Sequence, residues 1–278
     1  MNNLLLRIIS AAVLLPPMIT AFIWGGWWLR GLVLFAAFVG LYEYGRIVAK
    51  DSMRDRVALM IVGFTATVLS LLVTDAVTGV LILQLASMAL ASMFVLQPGD
   101  LSVAWKRLTT LSFGVIYIGL ALLCVARLRD LGETHAGPGR GGYILVAFTA
   151  TWANDTCAYF AGRAFGKHKM SETISPKKTW EGFAGGAVGT LTFLLAGCAL
   201  FPAVFEGITL LDMVLVGLPV SFLGPMGDLA ESMLKRGYDV KDSGNIIPGH
   251  GGVLDRLDAV FFVAPWTLTY FVAIKPHF

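Results

Sequence analysis

Residues 209–274 read TLLDMVLVGLPVSFLGPMGDLAESMLKRGYDVKDSGNIIPGHGGVLDRLDAVFFVAPWTLTYFVAI. Two apolar runs, each close to the roughly 20 residues that cross hydrocarbon, enclose one polar stretch, Ser232 to Asp258. That stretch carries Lys235, Arg236, Lys241 and Arg256, the acids Asp239, Asp242, Asp255 and Asp258, a histidine (His250) and several glycines. A loop that only joined two helices could be shorter and chemically plain. Cations for a polyanion, carboxylates for a metal and glycines for close backbone approach are what phosphoryl or nucleotidyl transfer uses.

The same alternation of long apolar runs and short polar links fills the rest of the chain. Hydrophobic residues make up 56%, charged residues only 14%, and the mean hydropathy is +0.75. A soluble domain carries about a quarter charged residues, so the composition excludes one. Continuous apolar runs rather than alternation exclude a β-barrel. The expected fold is all-α and polytopic, with nine transmembrane helices at about 5–24, 28–48, 57–74, 77–96, 109–127, 142–162, 183–203, 209–229 and 255–274. Spans one to five form an N-terminal region (1–130) and spans six to nine a catalytic region (142–278), with no separate soluble domain. The first run is read as a retained helix kinked at Pro16 and Pro17, not as a cleaved signal peptide. Cys124, Cys157 and Cys198 are odd in number and lack metal-ligand spacing, so they read as small buried hydrophobes.

With the N-terminus in the cytoplasm and nine crossings, about three quarters of the 21 lysines and arginines fall on the cytoplasmic side. The two chemically dense loops, 163–182 and 230–254, then share that face, where a nucleotide could reach both. Arg127 to Gly142, with GETHAGPGRGG inside it, reads as a flexible loop on the far side, and His135 as an inert member of it.

Several constellations carry chemistry. Asn154 and Asp155 fall in an apolar helix, where a central carboxylate costs about 2.5–3.5 kcal/mol on insertion scales. Asp155 is therefore a functional candidate. Asn154 is equally an interhelical hydrogen-bonding residue. Lys167, Ser175, Lys177 and Lys178 follow, with Thr179 and Glu181 interleaved. Pro176 is expected to make a rigid turn presenting Lys177 and Lys178 to phosphate. GRAFGK is one residue short of a P-loop and no strand precedes it, so that reading fails. Asp228 and Glu231, three apart, share a helical face, and Asp255 and Asp258 repeat the spacing. Asp228, Asp255 and Asp258 are candidate ligands for Mg²⁺, with salt bridging as the structural alternative. Gly251 and Gly252, at a helix N-terminus, are candidates to cradle a phosphate. Glu43, beside Arg46 in the second span, reads as a structural residue snorkelling to the interface.

At these residues the chain resembles the bacterial phosphatidate cytidylyltransferases. The signature of that family is carried by Ser232, Leu234, Lys235, Arg236, Lys241, Asp242, Gly244, Pro248, His250, Gly251, Gly252, Asp255, Arg256 and Asp258, with no departure. The upstream runs NDT, GRAFGKHK and SPKKTWEG are similar too, so the motifs cover about Asn154 to Asp258. The resemblance implies that CTP and phosphatidate give CDP-diacylglycerol and pyrophosphate, in phospholipid biosynthesis at the bacterial inner membrane. It further implies Mg²⁺ with K⁺ near it, a homodimer, and no nucleic-acid partner. Lys167, Lys177, Lys178, Lys235 and Lys241 would contact phosphates, and Arg256 and His250 the transferring or leaving phosphate. An ion-coupled transporter is the rival from another class, but it needs inverted repeats that are not visible. A CDP-alcohol enzyme would carry Asp-Gly-x-x-Ala-Arg, which is missing.

Overall fold

The structure, a computed structural model, describes residues 3–96, 99–134 and 141–275. Its helices are α1 (Asn3–Trp24), α2 (Gly26–Val48), α3 (Met53–Leu72), α4 (Ala76–Leu96), α5 (Leu101–Thr134), α6 (Gly142–Phe165), α7 (Trp180–Leu200), α8 (Leu210–Gly237), α9 (Leu254–Leu257) and α10 (Val260–Thr269). A helix stands at each of the nine expected places. Among the described residues, seven stretches are both long and apolar enough to cross a membrane: α2, α3, α4, α5, α7, α8 and Leu254–Ile274. α6 is long enough, but Thr149, Thr151, Asn154, Asp155 and Thr156 dilute it. The protein is an all-α polytopic membrane protein.

The expectations fail at several ends. α5 runs 34 residues, about 51 Å at 1.5 Å per residue, far beyond the expected 109–127. Arg127 and Arg129 are thus helical rather than part of a flexible loop. His135 lies outside the described residues. α8 continues to Gly237 because nothing in ESMLKR breaks a helix, so Glu231, Ser232 and Lys235 sit on it rather than in a loop. The ninth span is broken into α9, a turn, α10 and a π-helical stretch, Tyr270–Ile274. Pro176 does not make the expected turn. It lies inside β2 (Ser175–Thr179), which pairs antiparallel with β1 (Lys169–Ser171), and a two-stranded hairpin tolerates its missing N–H at an edge.

The chain divides into two compact units. The first comprises α1 as far as Ala21, Gly26–Ala126 and Tyr238–Arg256. The loop expected to belong with the C-terminal spans is therefore grouped with the N-terminal ones. Its core includes Leu41, Leu59, Leu83, Leu111 and Ile118, all buried. Tyr44, also buried, donates its hydroxyl to the Thr110 carbonyl at 2.8 Å, with Gly114 leaving room for the ring.

The second unit comprises Phe22–Gly25, Arg127–Gly237 and the chain from Leu257. α6 and α7 pack closely because Gly185 and Gly189 face Ala161 and Cys157, where a Cβ would collide. Arg129 is buried, with Nε 2.7 Å from the Phe22 carbonyl and a terminal nitrogen 2.9 Å from that of Ile23. These carbonyls close the last turn of α1 and have no intrahelical partner of their own. Asp212 at the start of α8 accepts from Lys275 Nζ and the Tyr270 hydroxyl, each at 2.8 Å, fastening the end of the described chain.

Candidate active site

The polar end of α6, the hairpin and the middle of α8 enclose a cleft of about 520 Å³ in the second unit. Asn154, Asp155, Lys177, Lys178 and Asp228 all line it, as do Tyr159, Arg163 and Thr179. Five residues singled out in the sequence, from three separate segments, thus meet on one surface. Lys178 Nζ lies 2.8 Å from Asp228 Oδ2 and also donates to the Pro225 carbonyl at 3.2 Å. Asp155 and Lys177 are exposed on the wall. Thr179 caps α7 by accepting from the Gly182 N–H at 3.1 Å, so β2 feeds directly into that helix.

Pro225 explains Asn154. Proline has no N–H, so the Ser221 carbonyl one turn earlier loses its helical partner. Asn154 Nδ2 donates to that carbonyl at 3.3 Å and to Thr190 Oγ1 at 3.2 Å. Its buried Oδ1 accepts no hydrogen bond from the protein, although the residue borders the cleft. Asn154 therefore joins α6, α7 and α8 at the floor of the site.

Other predicted members have different surroundings. Glu181 accepts from the Lys167 and His168 N–H groups at 3.0 and 3.2 Å and pairs with His168 Nδ1 at 2.5 Å. Its place among the lysines, read as a sign of phosphate binding, is explained by folding of the Lys167–His168 backbone. Lys167 is exposed and Ser175 pairs with Ser171 across the hairpin; neither borders the cleft. Lys235 pairs with the buried Glu231 at 3.0 Å along α8. Asp258 Oδ1 accepts from the Ala259 N–H at 2.7 Å.

In the first unit, the segment from Lys241 to Arg256 carries the rest. Lys241 and Arg256 are exposed. His250 Nδ1 lies 2.7 Å from Ser10 Oγ of α1. The expected phosphate cradle at Gly251 and Gly252 is filled from within the protein. Gly251 N–H donates to the Ile247 carbonyl and Gly252 N–H to Asp255 Oδ2 at 2.9 Å. The next two, Val253 and Leu254, donate to Glu43 at 3.2 and 2.9 Å. α9 is only four residues long, and no donor in this run is left for a phosphate. Asp255 also accepts from the Ser243 N–H at 3.1 Å, so here its carboxylate braces a loop. Glu43 does not snorkel: it is 1% exposed and faces inward. Its signal in the sequence, an acid in an apolar helix, was the same as that of Asp155, and nearby Arg46 obscured it.

The chain matches the cytidylyltransferase family over residues 5–274. It belongs to that family. A family relative, the phosphatidate cytidylyltransferase of Pseudomonas aeruginosa, is 35% identical over 274 residues, covering 93% of each chain. The phosphatidate cytidylyltransferase of Staphylococcus epidermidis is 35% identical over 237 residues, covering 84% of this chain and 87% of that one. For the protein of that name from Bacillus subtilis the match is 43% over 157 residues, spanning about half of each, 56% and 55%. This family member is thus similar along nearly its whole length to proteins that carry the expected name.

Proposed function

We propose that the protein is a phosphatidate cytidylyltransferase: CTP and phosphatidate give CDP-diacylglycerol and pyrophosphate. The observation that carries this, beyond family membership, is the cleft in which Asp155, Asp228, Lys177 and Lys178 meet. An oxygen of the phosphatidate phosphate attacks the α-phosphorus of CTP in line. The new P–O bond forms as the bond to the β-phosphate bridging oxygen breaks, and pyrophosphate leaves with that electron pair. Both reactants are anions, so positioning and charge neutralisation make up most of the catalysis. Lys177 and Lys178 offer that charge directly.

The donor set suits Mg²⁺. Of the expected ligands Asp228, Asp255 and Asp258, only Asp228 lines the cleft, and Asp155 stands there with it, offering hard oxygens beside cations for phosphate. Among the described residues no three of His, Cys, Asp and Glu gather as a metal site, so nucleotide phosphate and water would have to complete the shell of the ion. When bound, the ion would polarise phosphate oxygens. Lys178, paired with Asp228, would then be free to turn toward phosphate. The positive-inside bias favours the cytoplasmic face for this chemistry, and the family resemblance favours a homodimer. The test is conversion of α-labelled CTP to CDP-diacylglycerol by purified protein in detergent, with and without phosphatidate and Mg²⁺. Lipid-dependent, Mg²⁺-dependent product is expected. Release of labelled CMP or no turnover would overturn the reading, and a monomer in light scattering would overturn the dimer.

A further inference from the structure

Glu43 lies on α2 two hundred residues before the segment it holds. Its Oε1 accepts from Val253 N–H at 3.2 Å, and its Oε2 from Leu254 N–H at 2.9 Å and Ser243 Oγ at 3.1 Å. A Cβ added to Gly244 or Gly252 would collide with this carboxylate, so both glycines leave space for it. Asp255 takes the complementary donors, the N–H groups of Ser243 and Gly252. Two carboxylates thus divide five donors and clamp both ends of the segment that bears His250.

A buried carboxylate is a costly way to fill space. A leucine or methionine would pack more cheaply, and a glutamine would turn N–H against N–H at Val253. What a carboxylate supplies is acceptors for three converging donors. We infer that Glu43 is a positioning residue for cytidylyl transfer, acting through the Ser243–Leu254 segment whose backbone and hydroxyl it holds. This rests on the function proposed above.

The test compares the full-length protein with Glu43→Gln, Ser243→Ala, Gly252→Ala and the Glu43→Gln/Ser243→Ala double variant. It uses kcat and KM for both substrates together with amide hydrogen exchange. In Glu43→Gln, kcat is expected to fall about ten- to hundredfold, the size seen for partners that orient a site's residues. KM for phosphatidate should stay within about threefold, the mark of a loss felt in the transition state. Exchange should rise in 243–254 while α2, α3 and α5 keep their protection. Gly252→Ala should behave alike, and the double variant should be no worse than Glu43→Gln alone, because both changes remove one contact. A kcat within about twofold of wild type would overturn the inference. So would loss of protection throughout α2, α3 and α5, which a merely structural role predicts. Should Glu43→Gln fail to accumulate, Ser243→Ala and Gly252→Ala decide by the same criteria. Inactive wild-type protein would instead sink the proposed function, while the exchange result would still report on the clamp.

Discussion

Lys178 and Asp228 neutralise one another at 2.8 Å on the wall of the cleft, and each is only partly exposed. Their pairing keeps a carboxylate and an ammonium ready without leaving either charge bare. Lys178→Met removes a cation proposed to meet phosphate and should lower kcat/KM for CTP by about 10²–10³-fold, as loss of one transition-state donor does. Asp228→Asn should cost a similar factor, measured as CDP-diacylglycerol formed, and raise the Mg²⁺ concentration giving half-maximal rate. Wild-type turnover from either variant would move the chemistry away from this cleft. At this scale the lining of the candidate cleft was legible in part. Asp155, Lys177, Lys178 and Asp228 stood out as charged residues in or beside apolar runs. Gly251 and Gly252 were misread, because a sequence cannot say which carboxylates have already taken a loop's N–H groups.

At the scale of elements, the link between α6 and α8 depends on a missing N–H. Pro225 orphans the Ser221 carbonyl, and Asn154 supplies the replacement donor. Asn154→Ala should destabilise the protein by about 1–3 kcal/mol, the cost of an unsatisfied buried group. In a Pro225→Ala background α8 can satisfy Ser221 itself, so the two changes should couple by about 1 kcal/mol. Unfolding in mixed detergent–SDS micelles measures both, and strict additivity would refute the account. Helix positions were readable from apolar length alone, whereas their ends were not. α5 outruns its apolar stretch because buried Arg129 is satisfied by the carbonyls of Phe22 and Ile23, more than a hundred residues earlier in the chain. No local pattern announces such a partner. The hairpin escaped notice for a related reason: SPKKT has little strand character, and its pairing is made by β1.

For the whole molecule, the arrangement of charge makes a topological prediction. With the N-terminus inside, the β1–β2 hairpin faces the cytoplasm and the turn after α7 faces out. In a cysteine-replaced background, Lys177→Cys should react with an impermeant maleimide only after spheroplasts are opened, and Glu206→Cys should react in intact ones. The reverse pattern would invert the protein. The near-even split of the chain between N-terminal and C-terminal helices was visible in hydropathy. The transfer of Tyr238–Arg256 to the first unit was not, since it follows from contacts that span the chain.

Those contacts bear on how the protein is made. α2 leaves the ribosome long before Ser243 exists, and at 5–20 residues per second the wait is about ten to forty seconds. Throughout it, an acid already committed to the bilayer has yet to meet its donors. The newborn N-terminal helices are therefore an unfinished assembly that only the tail of the message completes. A chain ended after Asp242 should be degraded in pulse–chase labelling much faster than one ended after Ile274. Glu43→Leu should lengthen the life of the shorter product. Translation to the end would then be built into survival by a single carboxylate.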